Sequence, residues 1–80
     1  MKVLAVDDNR TNLHILQVFL KKLGHLVITA ENGEEAVQRF ASEQPDIVLL
    51  DIMMPVMDGF EAARQIKAMT SERWTPVIFL

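Results

Sequence analysis

Eighty residues, half of them apolar and about a quarter charged, suffice for one small globular domain, expected to occupy residues 1–80. A net charge of −3, with Lys21, Lys22, Lys67 and the arginines scattered rather than clustered, leaves no electrostatic footprint for nucleic acid. The lack of cysteine excludes disulfides and thiolate metal sites, the apolar part of MKVLAVDD is too short for a signal-peptide core, and no apolar run approaches the roughly 20 residues of a membrane span, so a soluble cytoplasmic protein without a membrane partner is expected.

Val3 to Val6 is a short apolar run that reads as a buried strand. Asp7, Asp8 and Asn9 offer helix N-caps, a helical pattern runs from about Arg10 to Leu23, and Gly24 is its natural stop. Leu26 to Thr29 reads as a second strand, and Glu31-Asn32-Gly33 as a turn. A helix over 33–42 then places Ala36, Val37, Phe40 and Ala41 on one face until Pro45 breaks it. Asp46 to Leu50 reads as the third strand. Beyond the loop at Met54-Pro55, Asp58 can cap a third helix over 59–69, with Ala62, Ala63, Ile66 and Met69 inward. Residues 70–75 read as loop and 76–80 as a fourth strand. Continuous apolar strands separated by amphipathic helices, in the order βαβαβαβ, predict an α/β fold: a three-layer parallel sheet covered on both faces.

The first helix is more apolar than a sheet alone requires. Leu13, Ile15, Leu16, Phe19, Leu20 and Leu23 span roughly 160° of its circumference, Val18 widens that arc, and a helix lying only on a sheet needs about 100°. A second apolar neighbour is expected, and no unused segment of the sequence supplies it.

The run IVLL ends abruptly in a carboxylate, Asp51. In a parallel α/β sheet, ligands bind outside the carboxyl ends of the strands, where strand order reverses. Asp7 and Asp8 follow the first strand and Asp51 follows the third, so if those strands are neighbours three carboxylates meet there. Like charges that close are costly unless one is protonated or a cation is bound, and an open all-oxygen site suits Mg²⁺. A carboxylate beside Mg²⁺ can also attack a phosphoryl group and become an aspartyl phosphate. His14 and His25 read as solvated or packing residues, Asp58 as a cap, and the methionines at 53, 54 and 57 as loop and rim packing.

Together, VDDNRTN after the first strand, the VLLD ending of the third, MPVMDG with Pro55 and Gly59 four and eight residues past Asp51, and TPVIFL at the fourth strand resemble the receiver domain of two-component response regulators. The resemblance covers the whole sequence. It implies a flavodoxin-like sheet of order 2-1-3-4-5 with five helices. It makes Asp51 the phosphoacceptor, with a histidine kinase or phosphotransfer protein as donor. It makes Asp8 a direct Mg²⁺ ligand and Asp7 a ligand through water, completed by Asp51 and the backbone carbonyl of Met53. The Met53 side chain would influence how fast the aspartyl phosphate hydrolyses. Such a domain is a signalling module and not an enzyme.

The family also carries a Ser or Thr after the fourth strand, a Lys at the end of a fifth, and a fifth helix beside the first. The sequence therefore resembles a receiver truncated after its fourth strand. The expectation is impaired phosphotransfer and a homodimer formed through the fourth strand and the first helix. A self-associating fragment with little or no phosphotransfer is the competing reading. A Mg²⁺-dependent phosphohydrolase of the haloacid dehalogenase type is weaker, because that chemistry wants a second Asp two residues after the nucleophile and Met53 stands there.

Overall fold

The computed structural model describes residues 1–51, 59–69 and 75–79. In chain order these form β1 (Lys2–Val6), α1 (Arg10–Lys22), β2 (Leu26–Ala30), α2 (Gly33–Glu43), β3 (Ile47–Leu50), α3 (Gly59–Met69) and β4 (Val77–Phe79). All four strands are parallel, in the order β2-β1-β3-β4. The first strand is thus central: Val3 pairs with Val27 on one side and Ile47 on the other. Expected and observed element bounds agree to within two residues, and Pro76, which has no N–H to donate, stands just before β4 while its carbonyl accepts from Val48 N at 3.0 Å.

Alternation along the strands divides the core in two. Leu4, Val6, Ala30, Val48 and Leu50 meet Ala36 and Phe40 of α2 and Ala62 and Ile66 of α3 on one face. Ala5 and Val27 meet Leu13 of α1, flanked by Leu16 and Leu20, on the other. Each fully buried Leu, Ile or Val contributes about 1.5–3 kcal/mol. Polar end groups fix where the helices begin. The Asn9 side chain accepts from Asn12 N at 3.0 Å and that of Asn32 from Glu35 N at 2.8 Å. α1 stops in a Schellman motif: Gly24 N donates to Lys21 O at 3.0 Å and His25 N to Leu20 O at 3.1 Å, with Gly24 at φ +88°. Gln44, at φ 49°, ends α2 just ahead of buried Pro45.

Two inward assignments need revision. Ala41 is exposed, because it lies at the rim of the arc centred on Ala36 and Phe40. Met69 is 41% exposed, being the last residue of α3 and beyond its packed turns. On α1, as the width of its apolar arc anticipates, Leu13, Leu16 and Leu20 meet the sheet while Ile15, Val18, Phe19 and Leu23 are exposed. His14 and Gln17 line a polar groove with Thr29 on the β2 side, so the exposed Ile15–Phe19–Leu23 flank lies toward β3. There Ile47 and Leu49 are half-buried and Ile78, in register with Leu49, is exposed. β4 is an edge strand of the described sheet, as expected.

Candidate functional site

The site residues are set by extensions of the strand ladder. Asp7 N donates to Ala30 O at 3.2 Å, carrying the β1–β2 pairing one residue past β1. Asp51 N donates to Val6 O at 3.0 Å and does the same for β1–β3. Both aspartates are therefore held by main-chain bonds at the carboxyl edge of the sheet, between β1 and β3. That is where the strand order reverses, β2 lying to one side of β1 and β3 to the other. Asp7 Oδ1 also accepts from Asn9 N at 3.0 Å, which tightens the turn into α1 and projects Asp8 into solvent.

One carboxylate oxygen from each of Asp7, Asp8 and Asp51 lies within 4.8 Å of the others. Two of the three residues are half-buried and Asp8 is exposed. Like charges at that separation repel by roughly 1 kcal/mol per pair in water and by several times that near a protein surface. The donor set is oxygen only, as a hard divalent cation requires. Octahedral ligands at about 2.1 Å stand about 3 Å apart when adjacent and about 4.2 Å when opposite. Three carboxylate oxygens within 4.8 Å of one another match that range, so the residues present fit one such ion.

The sequence-predicted residues Asp7, Asp8 and Asp51 are thus brought together. Met53 lies outside the described residues, as do Met54, Pro55, Met57, Asp58 and Trp74. His14 stands in the polar groove and away from the acidic cluster. His25 Nδ1 lies 3.1 Å from the backbone nitrogen of Met1. One ion pair was not anticipated: Arg10 Nε donates to Glu31 Oε1 at 2.6 Å, tying the first residue of α1 to the turn after β2. Nothing in the local sequence pattern marks this pair, whose members stand 21 positions apart. Among the described residues, no helix is long and apolar enough to cross a membrane.

Comparison with known proteins agrees with this architecture. Residues 3–80 match the family model for the response regulator receiver domain. The chain is 42% identical over 79 residues to Protein PilH of Pseudomonas aeruginosa, covering 99% of this chain and 65% of that protein. It is 40% identical over 78 residues to the autoinducer 1 sensor kinase/phosphatase LuxN of Vibrio harveyi, covering 98% of this chain but 9% of that protein. Among solved structures, chemotaxis protein CheY4 of Vibrio cholerae superposes with a TM-score of 0.91 at 33% identity, covering 98% of this chain and 65% of that one. The chain therefore spans just under two thirds of the length of the receiver proteins that it matches most fully among these. A central β1 flanked by β2 and β3, an acidic cluster at their carboxyl edge and a family match along almost its whole length together place this chain in the response regulator receiver domain family of two-component signalling.

Proposed function

We propose that residues 1–80 act as one phosphoacceptor unit, in the cytoplasm, with Asp51 as the acceptor and a histidine kinase or phosphotransfer protein as the donor. The observation that carries this reading is the convergence of Asp7, Asp8 and Asp51 within 4.8 Å at the switch point of the sheet. Asp8 and Asp51 hold Mg²⁺ directly, Asp7 holds it through water, and the Met53 carbonyl completes the protein ligands. Bound there, Mg²⁺ neutralises charge on the transferring phosphoryl oxygens. The Asp51 carboxylate oxygen attacks phosphorus, the P–N bond of the donor phosphohistidine breaks, and the departing imidazole nitrogen keeps the electron pair and takes up a proton. The hydrogen bond from Asp51 N to Val6 O fixes the start of the Asp51 side chain, so approach to the donor costs little ordering.

Two measurements test this reading. Treatment with acetyl phosphate and Mg²⁺ should add one phosphoryl group, located on Asp51, and Asp51→Asn should take up none; robust labelling of that variant overturns the assignment. A thermal melt should rise from EDTA to millimolar Mg²⁺, because binding to the folded state alone stabilises it. A rise that persists in Asp8→Ala speaks against the metal ligands named here.

A second reading is favoured by the exposed flank of α1, where Ile15, Phe19 and Leu23 are 61%, 58% and 58% exposed, and by the β4 edge with Ile78 at 46%. The eighty residues by themselves pair two-fold, β4 antiparallel to β4, each copy covering the other's apolar flank. In this reading the chain self-associates and phosphotransfer is slow or absent. Sedimentation with and without Mg²⁺ and beryllofluoride separates the two, since it reports both assembly and competence of the site.

A further inference from the structure

Arg10 occupies an unusual place. It is the first residue of α1, where the helix dipole disfavours a cation, and no acidic residue stands in that first turn. It follows Asp8 by two residues, so its Cα lies at most about 7 Å from that of Asp8. A long, permanently charged side chain this close to three carboxylates would ordinarily swing onto them, filling the position that a cation needs. The structure holds it elsewhere. The guanidinium points across the end of β2 to Glu31, 2.6 Å away, and among the described residues its recorded ion pair is with that carboxylate. Glu31 in turn does not join the acidic cluster, although Asp7 N bonds to the carbonyl of Ala30, its immediate neighbour. The pair is open to water, with side chains 85% and 42% exposed, so it adds little to the stability of the fold.

We infer that Glu31 is a positioning residue for the metal site, acting through Arg10: it holds the guanidinium off the carboxylates of Asp7, Asp8 and Asp51 and so keeps that cluster open to a divalent cation. This rests on the proposed Mg²⁺ site and assigns it a residue outside the ligand set. The predicted signature is non-additive. Removing the Glu31 charge frees Arg10 to compete with the cation, whereas without Arg10 there is nothing for Glu31 to restrain.

The experiment is a double-mutant cycle read by Mg²⁺ titration of the backbone amide resonances of Asp7, Asp8 and Asp51, at about 0.15 M salt to screen distant charge. Glu31→Gln should weaken Mg²⁺ about 2- to 5-fold, the range that one exposed ion pair supplies, while the same change in the Arg10→Ala background should leave the affinity where Arg10→Ala alone puts it. An equal loss in both backgrounds, which a plain field effect would give, overturns the inference, as does an unchanged affinity in Glu31→Gln. If the parent chain shows no Asp8-dependent Mg²⁺ binding, the site reading and this inference fall together. If it binds but the cycle is additive, only the inference falls.

Discussion

Gly24 shows how much one residue can decide. Its φ of +88° is needed for the amides of Gly24 and His25 to close the last carbonyls of α1, yet a Cβ added there would meet nothing within 4 Å. The cost of Gly24→Ala is therefore conformational and not steric, about 1 kcal/mol, and should appear as a lower urea midpoint at unchanged slope. Leu4 lies at the opposite extreme. It is fully buried among β1, β3 and the α2 side of the core, so Leu4→Ala should cost about 2–5 kcal/mol in the same measurement. The convergence of Asp7, Asp8 and Asp51 was legible because they follow the ends of two apolar strands. The Arg10–Glu31 pair was not, because two exposed residues 21 positions apart leave no periodic trace.

The elements carry their own signals. Asn9 caps α1 through its side chain and the Asn12 amide, whereas its main-chain amide donates to Asp7, so Asn9→Ala should cost about 1 kcal/mol and leave the turn that presents Asp8 in place. Thermal stability should fall in that variant while Mg²⁺ affinity holds. On α3, the Arg64 guanidinium bonded to Glu61, assisted by Gln65, draws the Glu61 carboxyl from its ordinary 4.5 to about 2. A carboxyl depressed in the folded state stabilises it above the unfolded pKa and loses that effect as pH falls through the folded one. Thermal melts of Glu61→Gln and the parent should therefore differ above about pH 4.5 and converge as pH approaches 2. Element type and order were readable from the alternation of short apolar runs with amphipathic stretches, and the bounds of α3 were read correctly at both ends. The register was not, since parallel pairing joins strands through crossovers whose geometry no local pattern encodes. Nor was the exposure of Met69 legible. Its helical phase matches that of Ile66, and only the packing around it distinguishes the two.

For the molecule as a whole, the exposed face between α1 and β4 matters most. Among the described residues, Ile15, Phe19, Leu23 and Ile78 are large apolar side chains left exposed on the α1 side of the sheet. The eighty residues alone should sediment as more than the 9.1 kDa unit at high micromolar concentration, and Phe19→Lys should shift that distribution toward the monomer. A compact monomer in the parent chain rules out the self-association reading. The central position of β1 has a further consequence, in time. Val3 finds its β2 neighbour at Val27 but its β3 neighbour only at Ile47, 44 residues later. At synthesis rates of about 5–20 residues per second, the strand at the middle of the sheet waits roughly 2–9 s with one side bare. A variant that weakens the early β1–β2–α1 unit, such as Val27→Thr, should thus lower the soluble yield from cells more than its equilibrium stability suggests, because the nascent strand stays open to wrong partners throughout that wait.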